Sequence, residues 1–235
     1  MRILFMHHFP LGLGDAGQLV QQWARALVAA GHETVLLIVD DQVGGGESLE
    51  VDRIVARAGD SQADLPFELP RFGTQQGDRQ QSAFATLTDR QLAQYRDQVR
   101  RRLDAQINRF DPQVIHAQHI WVQGQLALET GVPYVLNGWG PELIDYERDA
   151  RYRDLADQAA ENASRILVPH ESIGKRVVET FPIAADRVLV MNSDLNLSDA
   201  PVSADRRVVA GDQLLALYRV VLEERFGDLI DPTLR

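Results

Sequence analysis

Residues 12 to 17 read GLGDAG, a G-x-G-x-x-G string formed by Gly12, Gly14 and Gly17. Such a string can bring backbone amides against a phosphate at a helix N-terminus. Asp40 and Asp41 close the next apolar run, where a ribose-binding acid would stand. A dinucleotide cradle needs its first glycine directly after the strand. Here His7 to Leu11 intervene, and Pro10 stiffens a longer loop. Asp15 also makes a good helix N-cap, so the glycines have a plain loop reading as well. The second chemical set is the histidines. His7, His8, His116, His119 and His170 follow or close apolar strand-like runs, and only His32 precedes one. Asn137, Trp139 and Glu142 stand in the same kind of position after "PYVL". No H-x-x-x-H or H-E-x-x-H spacing occurs, so a zinc site has no motif behind it.

The elements that would position these residues alternate. "RILFMH" and "ETVLLIV" read as buried strands, and "VDRIVAR" as a third. Leu19, Val20, Trp23, Ala24, Leu27 and Val28 follow helical spacing, ended by Gly31 as C′ residue. Residues 58 to 87 carry Pro66, Pro70, Gly73 and Gly77 and read as a long surface excursion. Thr88 and Gln91 form a T-x-x-Q capping box. It opens a helix with Leu92, Tyr95, Val99, Leu103, Ile107 and Phe110 on one stripe. "QVIHAQ", "PYVLNG", "SRILVP" and "RVLVM" continue as strands, with helices near 122 to 130, over 142 to 163 and in "ESIGKRVVETF". This alternation predicts an α/β fold, a doubly wound parallel Rossmann-like sheet. Ligands of such sheets sit at the carboxyl ends of the strands. The histidines therefore point to one polar cleft.

The chain has 235 residues and no cysteine, so no disulfide framework is implied. Its net charge of −10 disfavours nucleic acid as a partner. The basic run Arg100-Arg101-Arg102 falls on a helix, which spreads it around the axis as a solvated face. No apolar run has the length of a membrane span, and "MRILFM" is too short for a signal peptide. The expected location is the cytoplasm.

In order and spacing, three segments resemble the N-terminal half of glycosyltransferase family 4 enzymes of the GT-B fold. "MRILFMHHFPLGLGDAGQLVQQWARALVAAGHETVLL" is similar to the family's first strand, glycine loop and helix. "FDPQVIHAQHIWVQGQLALETGVPYVLNGWGPEL" is similar to its "PDVIHAH" strand and HG segment. "ASRILVPHESIGKRVVETFPIAADRVLVMNS" is similar to its "ADRVIAVSES" segment. The resemblance covers residues 1 to 197. It implies that the glycine loop lies over an interdomain cleft, near the reacting sugar and the donor phosphates, and is no NAD cradle.

The implied reaction in complete homologues is transfer of a glycosyl group from a nucleotide sugar with retention. Electrostatic positioning, and not a metal, would stabilise the leaving phosphate. His119 and Glu142 are the implied catalytic candidates. Gly12, Gly14, Gly17, His8, His116, Asn137, Trp139 and Glu171 are the implied substrate-binding residues, with no metal ligand and no cofactor. The departures are specific. Trp139 stands where the family has the histidine of HG, and an indole cannot copy imidazole hydrogen bonding. His170 replaces the first serine of SES, and Asn192-Ser193 replaces NG. The family's GR...KG region and E-x7-E helix are not found. Glu171 and Glu179 have the spacing but stand in the first domain.

The implied organisation is a glycosyltransferase-like domain over 1–202 and a junction at 203–211, where a second, donor-binding domain would be expected. A C-terminal helix over 212–235 then packs back. "RRVVAG" reads as the opening strand of that second domain. Three readings stay open: a glycosyltransferase half with weak nucleotide-sugar binding and no turnover alone, a non-catalytic binding or self-association module, and a Rossmann-type reductase. Phe9, Leu11, Leu13, Ile120, Trp121 and Trp139 would form an apolar rim at the cleft edge. Such a rim predicts a homodimer, or a separate donor domain as partner.

Overall fold

The computed structural model describes residues 1–11, 14–41, 48–69, 84–191 and 204–227. Seven parallel strands form one sheet: β1 (Arg2–His7), β2 (Glu33–Asp40), β3 (Glu50–Val55), β4 (Val114–Gln118), β5 (Tyr134–Asn137), β6 (Arg165–Val168) and β7 (Val188–Val190). Their order is β3-β2-β1-β4-β5-β6-β7. The helices are α1 (Gly14–Ala29), α2 (Asp89–Phe110), α3 (Gln123–Glu129), α4 (Pro141–Arg148), α5 (Arg153–Asn162), α6 (Glu171–Thr180) and α7 (Ala204–Phe226).

The period-2 geometry of a strand divides the core into two layers. Along β1, Leu4 and Met6 enter the layer that includes Leu92, Tyr95, Leu103 and Leu126 of α2 and α3. Ile3 and Phe5 enter the other, with Leu19, Val20 and Trp23 of α1 and Leu214, Tyr218 and Val221 of α7. Both faces are covered, which is why β1 and β2 read as continuous apolar runs and not as alternation. Among the described residues no helix is long and apolar enough to cross a membrane.

Local signals act as their chemistry requires. The Thr88 hydroxyl accepts from the Gln91 amide, and the Gln91 side chain accepts from the Thr88 amide. Gly31 adopts φ +83° after α1. The arginine run is spread around α2: Arg100 pairs with Glu129, Arg101 donates to the Asp97 carbonyl, and Arg102 reaches Asp52 and Asp64.

Three expectations need correction. The excursion over 58 to 87 is not all surface. Leu65 bridges to Ala56 and is fully buried, as is Phe84, and Phe67 and Leu87 are nearly so. Isolated apolar residues without a period give no sign of their burial. Residues 70–83 lie outside the described residues. The helical stretch over 142 to 163 is broken at Asp149, whose carboxylate accepts from the Arg151 amide and pairs with the Arg151 guanidinium. The segment "RRVVAG" is no strand: it belongs to α7, which begins at Ala204. The weak β-preference of two adjacent valines yields to the continuity of a 23-residue helix.

Candidate functional site

Strands are added outward in one direction from β1 to β3 and in the other from β4 to β7, so the order switches between β1 and β4, the place where open parallel sheets bind their ligands. His7 is the last residue of β1, and His8 and Phe9 follow it. β4 ends at Gln118, and His119 comes next with φ +78°. A positive φ costs a non-glycine residue on the order of 1–3 kcal/mol and persists only where the surroundings hold it. Here the His119 amide donates to the Asn137 carbonyl at 3.0 Å, which draws the turn toward β5. Its ring stacks on Trp121 at 5.4 Å with the planes 15° apart. The His8 ring stands 5.3 Å from it and the His7 ring 6.4 Å.

Glu142 enters from the first turn of α4, behind the Gly138–Gly140 bend. Gly140 takes φ +108°, a conformation that glycine reaches without steric penalty. One Glu142 oxygen accepts the Trp139 amide at 2.7 Å, and the other lies 3.6 Å from His119 Nδ1. The Trp139 indole N–H donates to Gln118 Oε1 at 3.1 Å. Of the expected site residues, His119, Glu142 and Trp139 are thus brought together, with Gln118 beside them. His119 and Glu142 are buried, whereas Trp139 is half-buried at the lip.

The electrostatics follow from burial. Desolvation, then the neighbouring His119, lowers His7 to about 3. The same two causes, with His7 added, hold His8 well below the usual histidine range. Both rings are therefore neutral at pH 7, and His8 Nδ1 shares a hydrogen bond with the Tyr95 hydroxyl. Asp145, three residues after Glu142 on α4, is pushed up to about 7 by burial, against the lowering effect of the Phe84 backbone. This buried cluster holds the two neutral imidazoles of His7 and His8, the side chain of Glu142 beside His119, and backbone amides. Such groups orient hydroxyls and carry developing charge. Among the described residues no group of three or more His, Asp or Glu could hold a metal ion.

The remaining candidates are placed differently. His116 lies inside β4, two residues before its end, because the strand runs on to Gln118. It accepts from the Tyr218 hydroxyl at Nδ1 (2.6 Å) and donates from Nε2 to Asn137 Oδ1 (2.7 Å). All three side chains are fully buried. The chain of hydrogen bonds ties α7 to β4 and β5, and neither His116 nor Asn137 has a side chain open to the cleft. Burial lowers His116 to about 4, so the neutral tautomer that this chain requires is the one present.

Gly14 opens α1, and Gly12 lies outside the described residues. A Cβ on Gly17 would sit 2.5 Å from the Leu11 carbonyl oxygen, so the glycine permits the loop backbone to lie on α1. Glu171 is exposed at the start of α6, three strands from β1, a separation of roughly 14 Å.

The apolar rim is also corrected. Phe9, Leu11, Ile120 and Trp121 are buried in the domain's own core, and Leu13 lies outside the described residues. The premise for self-association through that rim is gone. Tyr95, Phe84, Gln118 and Asp145 were not singled out by sequence. The i,i+3 spacing of Glu142 and Asp145 would have placed both on one helix face. Tyr95 carries the same signal as any core residue of an amphipathic stripe.

An open parallel sheet wound on both faces, with its polar groups gathered at the switch point, defines a Rossmann-like α/β domain of the kind that makes half of a GT-B fold. The chain belongs to the glycosyl transferase 4-like domain family, whose model matches residues 14–192. Its fold is similar to that of sucrose-phosphate synthase from Thermosynechococcus elongatus (TM-score 0.52, 13% identity, 81% of this chain and 47% of that one). A shorter chain of the same synthase gives a TM-score of 0.55 at 15% identity, covering 94% of this chain and 99% of that one. The UDP-GlcNAc 2-epimerase of Neisseria meningitidis, bound to UDP-GlcNAc, gives 0.51 at 11% identity, covering 98% and 55%. The chain thus spans about half the length of the full synthase and epimerase chains. No curated protein matches the sequence.

Proposed function

We propose that this chain is the acceptor-side half of a glycosyl transfer site, with the donor's nucleotide contacts supplied by a second domain or chain. The observation that carries this reading is the His119–Glu142–Trp139 assembly at the β1/β4 switch point, held by a strained backbone within a domain of this family. In it, His119 contacts the reacting sugar, Glu142 fixes that imidazole and the Trp139 amide, and the amides at the start of α1 face the donor phosphates. The absence of cysteine fits a cytoplasmic setting.

Alone, the chain binds nucleotide sugars weakly and does not turn them over. Losing two charge-assisted hydrogen bonds of about 1.5–3 kcal/mol each weakens affinity by about a hundredfold or more. The test is an assay of the pure chain with UDP-, GDP- and ADP-sugars, together with equilibrium binding. Weak binding that His119→Ala abolishes, without turnover, is expected. Steady turnover by the pure chain, lost on His119→Ala, would overturn the claim that the half is inactive. Binding indifferent to His119→Ala would overturn the site.

A further inference from the structure

Three polar side chains, Tyr218, His116 and Asn137, stand fully buried between α7 and the sheet. A buried polar chain adds little net stability over apolar side chains of the same shape, and what it adds is a fixed geometry. The geometry here is that of a strut. His116 is bonded at both ring nitrogens, to the Tyr218 hydroxyl at 2.6 Å and to Asn137 Oδ1 at 2.7 Å. Trp23 stacks on its ring at 5.2 Å with the planes 22° apart, and the Phe5 ring lies 5.4 Å away. A flat ring packed in this way cannot tilt without stretching one bond or the other.

The far end of the strut meets the switch point. Asn137 is the last residue of β5. Its side chain ends the chain from α7, with His116 as its partner and none at Nδ2 among the described residues. Its carbonyl accepts the His119 amide at 3.0 Å. That bond crosses to the turn in which His119 holds φ +78°, a conformation that persists only where the surroundings impose it. One residue therefore takes a side-chain bond from the α7 side and gives a backbone bond to the strained turn. Trp139, on the other side of the same cluster, packs against the core layer to which Leu214, Tyr218 and Val221 of α7 belong.

We infer that Tyr218 is a positioning residue for the switch-point cluster: through His116 and Asn137 it fixes the turn that aims His119, so the seating of α7 sets the geometry of the site. Lifting α7 takes the hydroxyl away, leaves His116 Nδ1 without its donor and frees the Asn137 side chain to turn. The His119 turn then loses one of the holds that keep its φ positive. The inference rests on reading the His119 cluster as a sugar-handling site, and it adds the element that holds that cluster in place.

The experiment measures amide hydrogen exchange by NMR in the full chain and its variants, together with binding of UDP-, GDP- and ADP-glucose. Tyr218→Phe and Asn137→Ala should each speed exchange of the His119 amide by about five- to tenfold more than that of the β2 amides. The double variant should go no further than either single one, because both break the same chain. Val221→Ala trims the same face of α7 and should speed all core amides alike, which measures loss of stability by itself. A His119 amide that moves only with the β2 amides, or that Val221→Ala speeds as selectively as Tyr218→Phe does, overturns the inference. Additive effects in the double variant overturn it too. Where His119 is loosened selectively, nucleotide-sugar binding should fall severalfold. Binding that stays at wild-type strength there defeats the sugar-site reading and leaves Tyr218 its positioning role. Binding that falls in Tyr218→Phe with the His119 amide unmoved defeats the positioning role and leaves the sugar-site reading standing.

Discussion

Acid should unfold this protein early, and the structure gives the reason and the slope. The perturbation is a fall in pH from 7 to 4. His7 and His116 are lowered from 6.5 to about 3 and about 4, and His8 well below 6.5, each chiefly by burial. Above pH 6.5 these rings are neutral in the folded and the unfolded chain, so they contribute no pH dependence. Below it, the unfolded chain takes up protons that the folded chain refuses. Each such histidine then costs about 1.4 kcal/mol per pH unit until the folded pKa is reached.

Asp145 works in the opposite direction. Its carboxyl is raised from 3.8 to about 7, so the folded chain holds a proton that the unfolded chain lacks, and stability rises as pH falls between those values. His7 and His116 lose and Asp145 gains, which leaves a net loss on the order of 1 kcal/mol per pH unit between 6.5 and 4, and the lowered His8 acts in the same direction as the two histidines. Over that span the loss is on the order of 3 kcal/mol, a large share of the stability of a typical domain. Urea titrations followed by circular dichroism at pH 7, 6, 5 and 4 measure it, and His7→Gln should reduce the slope by about 1.4 kcal/mol per unit. Stability that stays flat from pH 6.5 to 5, or rises, would refute the claim that these rings are buried neutral.

Tyr218→Phe removes the hydroxyl that donates to His116 and leaves a buried ring nitrogen unpaired, a loss of about 1–3 kcal/mol measurable by chemical denaturation. Gly17→Ala drives a methyl onto the Leu11 carbonyl, and a cost of about 1–3 kcal/mol in the same assay is expected. Thr88→Ala opens the capping box of α2 and should lower stability by about 1 kcal/mol, with the loss of helix visible by amide exchange confined to the first turn. Glu142→Gln keeps an acceptor for the Trp139 amide but replaces the oxygen 3.6 Å from His119 Nδ1 with an amide nitrogen. It should weaken nucleotide-sugar binding with little change in melting temperature.

The fold was legible because its signals are local and repeated. Apolar runs bounded by glycine, the T-x-x-Q box and the helical stripes each fix an element, and alternation of strand and helix fixes the sheet type. The family resemblance and the chain's place in it were also readable from three ordered segments. What sequence did not reveal was depth. His116 and His119 are three residues apart and both are buried, yet one lies within β4 and the other in the turn beyond it, because β4 ends between them. Trp121 and Trp139 both read as rim residues, but Trp121 is fully buried and Trp139 is half-buried. Partners distant in sequence, such as Tyr95 for His8 and Tyr218 for His116, carry no local mark.

The substitution of Trp139 for the family's histidine has a physical consequence that the geometry makes plain. The indole has a single donor and no acceptor, and that donor is already committed to Gln118. Trp139 therefore holds out an aromatic edge at the lip and not a titratable group. The imidazole at the switch point is instead His119, one strand over, and it comes with its own support. The Asn137 carbonyl fixes its backbone, Trp121 fixes its ring, and Glu142 stands 3.6 Å from Nδ1. Glu142 also accepts the Trp139 amide, so one carboxylate couples the lip to the imidazole. The positive φ at His119 costs strain that a glycine would not, and this packing holds it. Trp139, its one donor spent on Gln118, stands at the edge of this cluster and does not replace the imidazole.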